Sequence, residues 1–486
     1  MKLHYISFLI SLTLLGCGAT RPAVVSLDPL TQLRKDINSI LSDSLFIPAR
    51  ASVKVVSLED GNVLFDHDSK ALMNTGSNMK LLTSAAALSI LDTNYQFKTA
   101  VFIHSLPTNG ILDGNIYLKG YGDPDLKTAD LDSLANAVYR MGIINIKGDI
   151  IVDNSFFDDN YWGAGWAWDD ESDPDAPYIN ALSVNSNCIK ITLLTDSTII
   201  YPYLEPMTDF VTVINKARLT SDSIRTPLKI RRLYLNNPNT IVTEGELSRF
   251  SQCTKKFSLR NPEYYTGTLF KASLRHAGIR VDGNVVNGMT PEDAREIGRH
   301  FQPIEKMIIN MNKTSDNLSA ENVLKILGIT LNGIPGSAKN GTVVVKCFLS
   351  KLGIDTSKLS LVDGSGISRY NLLSADQLVQ FLRAMYKQSR IFPIFYNSLP
   401  LAGVDGTLAQ RMTTYPAACN LRAKTGNLNG VSCLSGYVQT HDGEMLVFSM
   451  MMQNFITPAA NYHQAQDRIG ALLAGFSRNK KFNKIQ

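Results

Sequence analysis

Three short clusters in this chain hold residue types that can carry out acyl transfer. The first is Ser77-Asn78-Met79-Lys80. A helix beginning near Ser77 puts Lys80 one turn further along the same face. A hydroxyl then sits beside an amine at the positively polarised end of a helix. Burial would favour the neutral amine and lower the lysine pKa, making it a base toward the serine. The second cluster is Ser315-Asp316-Asn317 and the third is Lys424-Thr425-Gly426. None is diagnostic alone. Ser77 and Lys80 also suit the surface of an ordinary amphipathic helix. Ser477-Arg478-Asn479-Lys480 repeats the Ser-x-x-Lys spacing in a polar, basic tail, and Ser-x-Asn recurs at Ser183 and Ser477. Order and setting separate the three clusters from these decoys: Ser-x-x-Lys on a helix start, Ser-x-Asn between two helices, Lys-Thr-Gly at the end of a strand.

The elements that must hold these residues are readable on both sides of a contrasting middle. Leu33 to Leu45 has a helical pattern. Ser52–Leu58 and Val63–Asp66 read as two strands around an Asp60-Gly61 turn. The Ser77 helix follows. From residue 94 to 295 short β-like runs dominate: Lys98–His104, Gly114–Lys119, Gly148–Val152, Ile189–Leu194 and Phe210–Ile214. All three tryptophans fall within Trp162–Trp168, which reads as local aromatic packing. Helices return at Ile304–Lys313, Leu318–Leu327, Gly341–Leu352 and Ala375–Tyr386, the last with Ser374 as N-cap. Leu421–Lys424 is a strand, Val431–Gln439 and Met445–Met451 form a hairpin over His441-Asp442-Gly443, and Ala459–Phe476 is helical. The expected fold class is α/β (α+β): one domain from residues 31–93 plus 296–486, with a β-rich insertion over 94–295.

At 486 residues, with 44% hydrophobic and 19% charged residues, the chain can bury a large core across more than one domain. A formal charge of +5, with scattered basic residues, gives no sign of nucleic-acid binding. The apolar run Ile6–Leu15 after Lys2 is too short to span a bilayer and has the character of a secretory leader. Leu14-Leu15-Gly16-Cys17 resembles the bacterial lipoprotein signal box. That implies removal of 1–16, a lipid on Cys17, and a tether over 17–30; a plain cleaved leader is the alternative. Cys188, Cys253, Cys347, Cys419 and Cys433 remain, in spacings that match no metal site, and Cys419 with Cys433 is one possible pair. No cofactor is implied.

The ordered set Ser-x-x-Lys, Ser-x-Asn and Lys-Thr-Gly resembles the signature of active-site serine penicillin-binding proteins and serine β-lactamases. The long separation of Ser77 from Ser315 is similar to that of the class C low-molecular-mass penicillin-binding proteins, the D-alanyl-D-alanine carboxypeptidase/endopeptidase family. Asn115–Pro124, Val152–Phe157, Gly165–Trp168 and Asp363–Arg369 carry the same resemblance. It implies a transpeptidase-like domain with extra domains inserted between the first two motifs. It also implies peptidoglycan stem peptides as substrates, covalent binding of β-lactams, and a place in the periplasm-facing cell envelope.

By that resemblance Ser77 is the nucleophile and Lys80 its base. Ser315 and Lys424 return a proton to the leaving amine, and Asn317 holds the substrate amide. The backbone N–H groups of Ser77 and Asn427 form an oxyanion hole. Lys424 and Thr425 attract the terminal carboxylate beside Gly426. Asn427 departs from the Thr or Ser usual after Lys-Thr-Gly, which bears on carboxylate binding. Arg369 suits a stem-peptide carboxylate, with a structural ion pair as the alternative. Asp158 could meet a free stem-peptide amine, with an exposed loop aspartate as the alternative. Three other readings stand against this one. A Ser-His-Asp hydrolase is disfavoured because this chain has no Gly-x-Ser-x-Gly, a β-lactamase would normally lack so large an insertion, and a penicillin-binding sensor or scaffold would not turn over substrate.

Overall fold

The computed structural model describes residues 27–221, 226–235 and 237–478; the leader, Cys17 and most of the tether lie outside them. The first helix is Pro29–Leu41, earlier than its apolar spacing suggests. Asp28 is the reason. Its carboxylate accepts from the N–H groups of Leu30 and Thr31, both at 3.1 Å, and Pro29 takes the first helical position, where a missing N–H costs nothing. Asp43 then caps a separate short turn, Ser44–Phe46, beyond the helix end.

A five-stranded antiparallel sheet joins the two ends of the chain. Its order is Val63–His67, Arg50–Ser57, Met445–Gln453, Val431–Gln439, Arg422–Leu428. Helices cover both faces, so Val431–Gln439 is buried at every position but its last, Ser432 and Ser435 included. Period two still assigns the faces. Val447 and Met451 pack with the helices Met79–Ile90 and Ala375–Tyr386. Leu446, Phe448 and Met450 pack with Pro29–Leu41 and Ala459–Gly475. Ser374 caps its helix as expected, accepting from the Gln377 N–H at 3.1 Å. Ile304–Lys313 and Ala375–Tyr386 have the expected bounds.

The middle of the chain is less purely β than its short runs suggest. Its main sheet runs Val285–Asn287, Ile150–Asp153, Ile116–Gly120, Gln96–Ile103, Arg295–Pro303. Ile116–Gly120 and Ile150–Asp153 are parallel neighbours, and parallel strands need a long crossover. The helix Thr128–Arg140 supplies it, burying Leu131, Leu134, Ala135 and Val138. A second helix, Pro262–His276, packs alongside. The strand Arg295–Pro303 pairs with Gln96–Ile103, so this sheet runs on to Pro303. Among the described residues no helix is long and apolar enough to cross a membrane.

The possible Cys419–Cys433 bridge does not form. Cys433 is buried in its strand, with its thiol donating to the Asn74 carbonyl at 3.4 Å, while Cys419 is exposed and free. The tryptophan cluster does pack locally: Trp162 meets Trp166 edge-on, with ring centroids 5.1 Å apart. It also does something the sequence reading missed, which is to brace the floor of the site.

Candidate active site

Ser77 lies in a short 3-10 turn, Gly76–Asn78, that leads directly into the helix Met79–Ile90. Lys80, in the first turn of that helix, is completely buried. Its Nζ is 2.9 Å from Ser77 Oγ, 2.5 Å from Asn317 Oδ1 and 2.7 Å from the Ser365 carbonyl oxygen. The last two groups can only accept. A neutral amine has two N–H bonds and one lone pair. The N–H bonds are taken by Asn317 and Ser365, so the lone pair is left for the Ser77 hydroxyl proton. Burial lowers the Lys80 pKa to about 8, against the opposing pull of the Asp363, Asp316, Glu321 and Asp175 carboxylates.

Asn317 is held in that orientation from its other end, where its Nδ2 donates to the Asp175 carbonyl at 2.5 Å. Asn317 opens the helix Asn317–Asn332, and Asp316 is its N-cap, accepting from the Ser319 N–H at 2.6 Å. Ser315 stands just before the cap with φ of 63°, a left-handed conformation that costs a non-glycine residue about 1–2 kcal/mol. The Ser-Asp-Asn cluster is thus a sharp link between two helices, as its setting implies.

Lys424 sits within the strand Arg422–Leu428, which runs past Gly426 rather than ending there. This strand is the edge of the main sheet, and it lies against the Ser77 turn. The contact is too close for side chains. A Cβ on Gly426 would lie 2.5 Å from the Thr75 carbonyl oxygen and 3.0 Å from the Ser77 nitrogen; one on Gly76 would lie 3.1 Å from the Asn427 nitrogen. Two glycines therefore let the Ser77 and Asn427 amides approach each other. Lys424 is fully buried, and its Nζ donates to the Thr425 carbonyl at 3.1 Å. Burial first, then the Lys80 charge, push its pKa well below the ordinary lysine value. Thr425 Oγ1 donates to Thr407 Oγ1 at 2.7 Å.

A cleft of about 490 Å3 opens over these groups, lined by Ser77, Ser315, Asn317, Thr425 and Asn427, with Asp170, Asp173 and Asp175 on the facing wall. Arg369 is exposed beside it and donates to the carbonyl of Asn429, another lining residue, at 2.7 Å. Asp158 is not among the lining residues. Its carboxylate is 2.5 Å from Nζ of the buried Lys325, which also donates to the Asn160 carbonyl at 2.7 Å. The free carboxylate expected there is therefore neutralised by a partner far away in sequence. The decoy Ser477 is buried, and its hydroxyl donates to Asp442 at 3.1 Å, while Arg478 pairs with Glu444; Asn479 and Lys480 lie outside the described residues.

Sequence reasoning missed the floor of the site. Asp363 is buried and accepts four hydrogen bonds. The N–H of Gly366 (2.8 Å) and Nδ2 of Asn371 (2.6 Å) meet one oxygen; the N–H of Ser368 (2.6 Å) and Nε1 of Trp166 (3.0 Å) meet the other. Glu321, one turn beyond Asn317 on its helix, accepts the N–H groups of Gly364 and Ser365 at 3.0 and 2.8 Å through one oxygen. Its second oxygen is buried with no partner among the described residues, and burial, reinforced by the Asp363 charge, raises its pKa. Together these carboxyl groups fix the Asp363–Gly366 turn so that the Ser365 carbonyl points at Lys80. The motif stretch Asp363–Arg369 is the available signal for this floor.

A serine hydroxyl in hydrogen-bond reach of a buried lysine whose pKa is lowered to about 8, beneath a cleft where two backbone amide nitrogens lie close together, defines an active-site serine acyl-transfer enzyme. The chain belongs to the D-Ala-D-Ala carboxypeptidase 3 (S13) family, whose model matches residues 33–475, and it is a serine-type peptidase of that family. A D-alanyl-D-alanine carboxypeptidase of Actinomadura sp. (strain R39) is 33% identical over 492 residues, covering 96% of this chain and 89% of that one. The D-alanyl-D-alanine carboxypeptidase DacB of Haemophilus influenzae is 29% identical, covering 86% and 92%. The crystal structure of penicillin binding protein 4 (dacB) from the same organism superposes with a TM-score of 0.81 at 26% identity, over 90% of this chain and 99% of that one. A β-lactam complex of that protein superposes at 0.75.

Proposed function

We propose that the protein cleaves the D-alanyl bond at the end of peptidoglycan stem peptides, as a carboxypeptidase on free ends and an endopeptidase on cross-links. One observation carries this reading: Lys80 Nζ lies 2.9 Å from Ser77 Oγ and also meets Asn317 Oδ1 and the Ser365 carbonyl, two groups that only accept, so that its neutral form has its lone pair free for the Ser77 proton. Ser77 Oγ attacks the carbonyl carbon of the scissile bond and Lys80 takes its proton. The carbonyl oxygen becomes an oxyanion between the N–H groups of Ser77 and Asn427. The C–N bond then breaks, and the leaving amine receives a proton through Ser315 and Lys424. Asn317 and Thr425 hold the substrate's amide and carboxylate, and Arg369 at the rim suits a further carboxylate. Water hydrolyses the ester on Ser77. β-Lactams acylate the same oxygen and block it. The homologous carboxypeptidases and the structural match to a penicillin-binding protein support this assignment.

The test is D-alanine release from a pentapeptide ending in D-Ala-D-Ala. Wild type should release it and Ser77→Ala should not; wild type inert on both free and cross-linked peptides would refute the assignment. We further place the protein in the cell envelope, anchored by a lipid on Cys17. Cys17→Ser should move it from the membrane fraction to the soluble fraction, and an unchanged distribution would count against the anchor.

A further inference from the structure

Asn427 stands where a hydroxyl residue is the norm, and its side chain is not free to turn. Its Oδ1 is 2.9 Å from Nε2 of His463, on the helix Ala459–Gly475. Oδ1 can only accept, so Nε2 carries the proton and donates. Burial, then the nearby Arg411 charge, lower the His463 pKa, which keeps the ring neutral with that single N–H. The helix itself is fastened where this matters. Gln466 Nε2 donates to Ser432 Oγ at 3.1 Å, and Ser432 is the cross-strand neighbour of Asn427. Arg411 donates to the His463 carbonyl at 3.3 Å and pairs with Asp467 at 2.6 Å. The backbone that carries the histidine is therefore held on both sides of it.

The consequence lies in the cleft, which Asn427 lines. A threonine or serine hydroxyl there can donate to a carboxylate in any rotamer that reaches it. A carboxamide has a donating and an accepting end, and the accepting end repels an anion. With Oδ1 committed to His463, the NH2 group is the end left for a ligand.

We propose that His463 is a positioning residue that turns the Asn427 carboxamide so that its NH2 group binds the α-carboxylate of the leaving residue. This rests on the assignment of a D-Ala-D-Ala substrate above. The pair does the work of the absent hydroxyl, and it makes the site selective for a leaving residue with a free carboxylate.

The experiment compares two peptides on the full chain, one ending in D-Ala-D-Ala and the same peptide with a C-terminal carboxamide. His463→Ala should raise KM for the acid about tenfold, the worth of one hydrogen bond to a charged group, with kcat little changed. The carboxamide peptide should be unaffected, so the acid-to-amide ratio of kcat/KM falls by the same factor. His463→Gln, which restores a donor, should recover part of that loss. In an Asn427→Thr background, His463→Ala should leave the ratio where Asn427→Thr alone sets it. An unchanged ratio in His463→Ala would overturn the proposal. So would an equal fall in the threonine background, because that would show a general structural role. A wild type that cleaves neither peptide and binds no penicillin would instead refute the substrate assignment.

Discussion

Lys80→Ala will slow acylation by penicillin by about a thousandfold or more, the scale of losing a positioned general base. The loss should appear in the acylation rate constant of the pure protein, with thermal stability little changed. Alanine strands the acceptors on Asn317 and Ser365, but it also removes an ammonium group from a fully buried position, and these effects oppose each other. The wild-type pH profile follows from the same group. Its base form is the neutral amine, and its pKa is lowered to about 8. Acylation should therefore rise tenfold per pH unit below about 8 and level off above it. The sign for stability is the same. The folded state releases this proton at lower pH than the unfolded chain does, so the Lys80 contribution improves as pH rises from about 8 toward the ordinary lysine value. A flat acylation profile between pH 6 and 9 would remove Lys80 from the base role.

Asp363→Ala should be the most damaging change outside the catalytic residues. It removes the acceptor of four buried N–H bonds: two backbone N–H groups, the Trp166 indole, and one N–H of the Asn371 amide, whose Nδ2 keeps only the Ser368 carbonyl. At ~1–3 kcal/mol for each stranded group, the loss is at least about 4 kcal/mol. The turn it holds also carries the Ser365 carbonyl that orients Lys80. Stability by denaturant titration and penicillin acylation should therefore fall together. Asp363→Asn keeps the shape but sets an NH2 group against donors, and it should fall between wild type and alanine. If alanine were as stable as wild type, Asp363 would not be what holds this turn.

Local patterns made much of this molecule legible before its structure. Ser77 and Lys80 are three residues apart, on a 3-10 turn and the helix it leads into, so their meeting needs no long-range information. The helices Ile304–Lys313 and Ala375–Tyr386 and the hairpin at Val431–Gln453 are strongly periodic or strongly bounded, and they stand where expected. The failures have two physical origins. In Thr128–Arg140 the apolar stripe of Leu131, Leu134, Ala135 and Val138 has helical spacing, but the β-like runs around it masked the change of period. The other failures are convergences. Asp363 meets Trp166, Glu321 meets Gly364 and Ser365, Asp158 meets Lys325, and Asn427 meets His463, each pair brought together only by the fold. A lone aspartate or histidine in a sequence does not announce such a partner. The contact between Ser77 and Lys80 was therefore readable, whereas the groups that hold them in position were not.

The central claim is that Ser77 Oγ is the atom that becomes acylated. Incubating wild type and Ser77→Ala with benzylpenicillin, then measuring intact mass and the mass of the proteolytic fragment spanning Ser77, tests it most directly. Wild type should gain one penicilloyl group per chain, located on that fragment, and Ser77→Ala should gain none. An adduct that persists in Ser77→Ala, or one that maps to another fragment, would contradict the account.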